Sequence, residues 1–182
     1  MILIVAGVAG SGKTTVGALL AGRFGWPFAD ADTFHPAANV AKMHAGIPLT
    51  DADREPWLQA ITDWMDALIA QGRSGVVTCS ALRRVYRDRL LIGRPAAVMV
   101  FLQVSREELD RRLRARPGHF FPGTLLGSQL DALEPPAPDE RVKTVLAEGD
   151  PEQTAAKVIA VLWPDGEHDP RSGRFPESAD PA

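Results

Sequence analysis

The amino-acid sequence predicts a three-layer α/β/α domain with a five-stranded parallel sheet at its centre. Three observations predict it. The chain opens on an unbroken apolar run, Ile2-Leu3-Ile4-Val5-Ala6, of the kind that fills a central strand covered on both faces. That run passes through a glycine-rich turn directly into a helical pattern. Short strand-like runs and helical segments then alternate along the chain, which is the order of parallel strands joined by helical crossovers.

Each element has a local reason. A helix over 13–24 comes after the first turn and stops at Gly25. Pro27-Phe28-Ala29 reads as a short second strand that delivers Asp30 and Asp32 at its carboxyl end. Pro36 suits the start of a helix running to Ala45, with Gly46 as its stop. A longer helix, roughly 54–71, carries Trp57, Ile61, Met65 and Leu68 at helical spacing and closes at Gly72. Gly75-Val76-Val77-Thr78-Cys79 is the third strand, and Ser80 is placed to cap a helix over 81–91. The fourth strand covers 96–104, with Val98, Val100 and Leu102 on one face and Met99 and Phe101 on the other. Ser105 and Glu108 form a capping box for a helix over 106–115. Glycine and proline break the pattern at Arg116-Pro117-Gly118-His119-Phe120-Phe121-Pro122-Gly123. A short helix near 124–133, a weak fifth strand over 142–146 and a last helix over 151–162 complete a single domain, residues 1–163. Residues 164–182, rich in proline, glycine and charge, are expected to form a disordered tail.

The first turn carries the most specific chemistry. Gly7-Val8-Ala9-Gly10-Ser11-Gly12-Lys13-Thr14 has the spacing G-x-x-x-x-G-K-[ST], with a strand before it and a helix after it. Such a loop curls its N–H groups toward phosphate oxygens, and the adjoining helix adds its own unpaired N–H groups and dipole. Gly7 to Thr14 and the neighbouring Thr15 are therefore expected to hold ATP, with Lys13 on the β- and γ-phosphates and the Thr14 hydroxyl on Mg²⁺.

Asp30-Ala31-Asp32 supplies two carboxylates. Residues i and i+2 on a strand share a face, so both are expected to point at one cleft; the alternative is that both merely cap a strand end. Phosphoryl transfer to an alcohol needs a carboxylate at the attacking hydroxyl and oxygen ligands around the metal. Asp32 is assigned the first task and Asp30, with Thr14, the second. The third strand ends in Cys79-Ser80 without an acid, which leaves Asp30 as the metal-side carboxylate; Cys79 reads as a small core residue. Among the cations, Glu107–Arg111, Glu108–Arg112 and Asp110–Arg114 are i, i+4 pairs of a solvated helix. Arg116 lacks such a partner and borders the glycine/proline break. It is chosen, with Arg112 second, to neutralise ATP phosphates from a mobile lid at about 116–128.

Bulk properties exclude several classes. The chain has 182 residues, 45% hydrophobic and 24% charged, with a net charge of −3. The pI near 5.8 argues against non-specific nucleic-acid binding. One cysteine gives no disulfide framework and fits a reducing cytoplasm. No segment reads as a signal peptide or a membrane span.

Several longer segments make the chain resemble gluconate kinases, small-molecule kinases of the phosphate-loop group. They are Asp32-Thr33-Phe34-His35-Pro36, Lys42-Met43, Gly46-x-Pro48-Leu49, Asp51-x-Asp53-Arg54-x-Pro56-Trp57-Leu58, and Cys79-Ser80-Ala81-Leu82-Arg83-Arg84-x-Tyr86-Arg87-Asp88. Gly118-His119-Phe120-Phe121 with Ser128-Gln129 resembles the family's lid and the segment after it. The resemblance implies a phosphate-loop kinase fold of strand order 2-3-1-4-5, a homodimer, and transfer of a phosphoryl group from ATP to the 6-hydroxyl of D-gluconate. A linear polyol acid needs a cationic fork and hydrogen-bonding groups. Arg54, Arg83, Arg87, His35 and, from the lid, His119 are the candidates, with Asp32 at the hydroxyl; Trp57 is either a wall of that site or core.

Overall fold

A computed structural model of the chain describes residues 1–114 and 123–164, and the side chains of all of these except 113, 114 and 123–125. The strands are β1 (Ile2–Ala6), β2 (Phe28–Asp30), β3 (Gly75–Cys79), β4 (Ala97–Gln103) and β5 (Val142–Leu146). The helices are α1 (Lys13–Phe24), α2 (Ala37–His44), α3 (Asp51–Ala70), α4 (Arg84–Leu91), α5 (Arg106–Arg114), α6 (Gly123–Asp131) and α7 (Pro151–Leu162). All strand pairs are parallel, in the order β2-β3-β1-β4-β5, as expected. Ile2 lies opposite Gly75 on one side and Ala97 on the other, so the central strand is flush with both neighbours.

Strand alternation sorts β1 between two cores. Ile2, Ile4 and Ala6 join Ile61, Met65 and Leu90 beneath α3 and α4. Leu3 and Val5 join Val16, Leu20 and Val158 beneath α1 and α7. Every residue of β1 is fully buried, which is why its sequence is apolar throughout. Gly17 lets α1 approach the sheet closely: a Cβ there would sit 2.6 Å from Thr78 Cγ2 and 3.1 Å from the Phe28 ring.

Two helix starts and one helix cap differ from expectation. Helix α3 begins at Asp51, three residues earlier than 54, because Thr50 and Asp53 cap it reciprocally. Helix α4 begins at Arg84 instead of 81, and Ser80 does not cap it: Ala81 takes a left-handed φ of 39°, which holds residues 80–83 out of the helix. At α5 only half of the expected box forms. The Glu108 amide donates to Ser105 Oγ at 3.3 Å, while the Glu108 carboxylate turns to Arg111 and Arg112. The expected Glu107–Arg111 pair is thus replaced by Glu108–Arg111 at 2.6 Å. The two arginines, Arg111 first, hold Glu108 down to about 2. Most of the expected lid, with Arg116 and His119, and the tail beyond residue 164 lie outside the described residues. Among the described residues no helix is long and apolar enough to cross a membrane.

Candidate active site

The glycine-rich motif folds as the link from β1 to α1, at the carboxyl end of the central strand. Gly7 has φ 149°, and a Cβ there would lie 2.7 Å from Ser11 Oγ and 3.0 Å from the Leu102 carbonyl oxygen. Only glycine fits so tight a departure from the strand. The Ser11 amide donates back to the Val8 carbonyl at 3.2 Å and closes the loop. Lys13 Nζ donates to that same carbonyl, also at 3.2 Å.

This loop forms one wall of a cleft of about 490 Å³. Ala9, Gly10, Ser11, Gly12, Lys13, Thr14, Thr15 and Val16 line it, together with Asp32, Arg112, Gly149, Pro151 and Thr154. The Arg112 guanidinium is fixed on the cleft wall. It donates to the Ser11 carbonyl at 3.1 Å, the Ala147 carbonyl at 2.7 Å and Glu108 Oε1 at 2.7 Å. Arg112 therefore joins the phosphate loop to the segment after β5. Gly149, Pro151 and Thr154 were not anticipated as site residues. Their signal was positional: a Gly149-Asp150-Pro151 turn at the carboxyl end of a parallel strand.

The Thr14 hydroxyl donates to Asp30 Oδ2 at 2.8 Å. This hydroxyl–carboxylate pair is a hard-oxygen donor set suited to Mg²⁺. Among the described residues no group of three or more acidic, histidine or cysteine side chains gathers as a metal cage. Asp32 reaches the cleft by a route other than the expected strand alternation. Strand β2 ends at Asp30, and Ala31–Phe34 forms a 3-10 turn. Asp30 Oδ1 accepts from the Asp32 amide at 3.1 Å, and Thr33 Oγ1 donates to the Asp30 carbonyl at 2.7 Å. Local side-chain-to-backbone bonding thus bends the chain so that Asp32 faces the phosphate loop.

Beyond Asp32 lies a polar platform. His35 stacks on Trp57, with ring centroids 4.5 Å apart and planes 7° from parallel. Burial pushes the His35 imidazole down; Asp32 pulls it up and Arg54 pushes it down further. The expectation that Trp57 contacts substrate gives way to its other reading. It is 2% exposed, and its indole donates to the Ala31 carbonyl at 2.6 Å, so it is core that supports His35 and the 3-10 turn. Arg54 donates to the Leu49 carbonyl and, at 3.4 Å, to the Tyr86 hydroxyl. Arg83 donates to both Asp51 oxygens at 2.8 Å and stays partly exposed. Asp53 is an unforeseen hub. It accepts from Lys42 at 2.7 Å and from Thr50, Lys42 being the main reason its carboxyl is held down to about 2.

Arg87 corrects the sequence reading most clearly. Its guanidinium is fully buried and donates to Glu140 at 2.6 and 2.9 Å and to the Ala81 and Leu82 carbonyls. With its donors spent inside the protein, it supports the β3–α4 loop and leaves substrate contact to others. Cys79 is buried as expected, and burial pushes its thiol up to about 12.

Comparison with known proteins agrees with this geometry. The shikimate kinase family model matches residues 9–123. A gluconokinase of Gluconobacter oxydans is 47% identical over 157 residues, covering 86% of this chain and 88% of that protein. The solved structure of a gluconokinase from Sinorhizobium meliloti is 42% identical, with a TM-score of 0.78, covering 87% of this chain and 89% of its own. An unliganded sugar kinase from Janibacter is 44% identical, with a TM-score of 0.81, covering 87% and 92%. A phosphate-binding loop, a carboxylate facing it and these likenesses along most of the chain make this protein a member of the gluconokinase family, within the phosphate-loop kinases that the shikimate kinase model describes.

Proposed function

We propose that the protein transfers the γ-phosphoryl group of ATP to the 6-hydroxyl of D-gluconate. The observation that carries the reading is the position of Asp32 on the cleft wall shared with Lys13 and Thr14, in a chain 47% identical to a gluconokinase. The loop amides from Gly7 to Thr15 hold the nucleotide phosphates, and Lys13 and Arg112 balance charge on the group in transit. Asp32 accepts the proton of the attacking hydroxyl. Thr14 and Asp30 would hold Mg²⁺, which would supply electrostatic stabilisation of the phosphate oxygens when bound.

Arg54, Arg83 and His35 are the groups offered to the sugar acid. Arg83 and Arg54 have both carbonyl or carboxylate partners and a shared neighbour in Tyr86, so their forks are held in place before any ligand arrives. Arg116 and His119 are assigned to the phosphate and substrate sides from the sequence alone. The same reading carries a homodimeric enzyme of the cytoplasm, checked by sedimentation and by fractionation.

A coupled ADP-release assay tests the activity. ADP release should depend on D-gluconate and Mg²⁺. Turnover of shikimate or a nucleoside monophosphate with none of gluconate would overturn the substrate, and ATP hydrolysis indifferent to every small acceptor would overturn the transfer.

A further inference from the structure

The geometry assigns to Gln129 the positioning of Lys13, through the single peptide unit that joins Val8 to Ala9. Gln129 lies on α6, 120 residues away from Ala9 in sequence, and its Oε1 accepts the Ala9 amide at 2.7 Å. The carbonyl of that same peptide, on Val8, accepts from Lys13 Nζ at 3.2 Å and from the Ser11 amide at 3.2 Å. A peptide unit is planar, so its N–H and C=O turn together. Gln129 grips one end of the plane and Lys13 is parked at the other. Because the Ala9 amide is a donor, the carboxamide atom facing it must be the oxygen.

The helix that carries Gln129 is itself anchored beside the loop. Leu126 packs with Val8, Leu82 and Leu109, and Leu130 and Leu133 extend that cluster. Ala9 and Lys13 line the cleft together with Asp32, so the peptide in question borders the end of the cleft where transfer takes place. Loss of the Gln129 oxygen releases the amide end of the plane and leaves the Val8 carbonyl, still bonded to the Ser11 amide, less firmly placed against the Lys13 ammonium. Gln129 is a positioning residue: it acts on the reaction through Lys13. The assignment rests on the reading of Lys13 as a phosphate ligand, and deepens it.

The test combines Gln129→Met, Lys13→Met and the double variant, with Mg²⁺-ATP affinity measured by calorimetry and amide exchange by NMR. In Gln129→Met the Ala9 amide should lose its protection while the Val16 amide, bonded to the Gly12 carbonyl within the first turn of α1, keeps it. ATP affinity should fall about tenfold from the wild-type background, and less than about twofold from Lys13→Met, since coupled residues do not add. Equal losses in both backgrounds would overturn the assignment, as would full Ala9 protection in Gln129→Met. Gln129→Glu, which keeps an acceptor oxygen, should retain Ala9 protection even where Gln129→Met proves too unstable to study; loss of protection in a folded Gln129→Glu also overturns it. None of these measurements uses gluconate, so a failure of the proposed acceptor is seen separately in the turnover assay.

Discussion

Arg87→Met removes the buried cation that underlies the β3–α4 loop. Arg87 is fully buried and Glu140 nearly so, and two hydrogen bonds join them at 2.6 and 2.9 Å. Methionine replaces the aliphatic stem but supplies no donor. It leaves a buried carboxylate whose other hydrogen-bond donor among the described residues is the Ala137 amide at 2.8 Å, with the Arg84 charge nearby. Removing one partner of a buried ion pair costs about 3–5 kcal/mol. At roughly 2–4 °C per kcal/mol for a chain of this size, Tm should fall by roughly 6–20 °C. The double variant Arg87→Met/Glu140→Leu should regain most of that loss, because no charge is left unpaired. The pH dependence gives a second handle. Arg87 first, and the Ala137 amide after it, hold the Glu140 carboxyl below its ordinary value of 4.5 against the upward push of burial. A depressed carboxyl stabilises the fold fully above 4.5, and that stability is lost as pH falls through the lowered value. The gap between wild type and Arg87→Met should therefore narrow as the solution is acidified. Thermal unfolding followed by circular dichroism across pH measures all three. A Tm within about 2 °C of wild type at neutral pH, or a double variant no better than the single one, refutes the reasoning.

Two further substitutions probe the cleft. Asp32→Asn keeps the shape of the side chain facing the phosphate loop but removes the proton acceptor; kcat should fall by about 10²–10⁴-fold with ADP affinity nearly unchanged, and an unaltered kcat removes Asp32 from the base role. Thr14→Val removes the hydroxyl that meets Asp30 at 2.8 Å while conserving volume. The Mg²⁺ concentration for half-maximal rate should rise on the order of tenfold, and a titration superimposable on wild type would show that the pair holds no metal.

The parts of this molecule that were legible in the sequence are those that depend on local pattern. Ile2–Ala6 is apolar because every side chain in the central strand is buried, and the loop after it has spacing that few other structures require. The parts that were not legible depend on which charged groups meet after folding. Arg83 and Arg87 are four residues apart in the sequence, with equal claim there to a carboxylate ligand. The fold separates them: Arg83 remains part-exposed beside Asp51, and Arg87 is sealed against Glu140, 53 residues downstream. Nothing near Arg87 in sequence announces Glu140. The same holds for Trp57, whose indole is satisfied by a carbonyl 26 residues upstream.

The Asp30/Asp32 pair shows a subtler limit. The expectation that both serve one cleft used strand geometry, yet β2 stops at Asp30. Asp30 ends the strand itself, since its carboxylate offers the Asp32 amide a partner that a ladder does not. One oxygen of Asp30 therefore turns the chain and the other meets Thr14. A single carboxylate both builds the bend that aims Asp32 and forms the oxygen pair suited to the metal. This double use makes Asp30 harder to replace than Asp32: a substitution there disturbs the shape of the site as well as its charge.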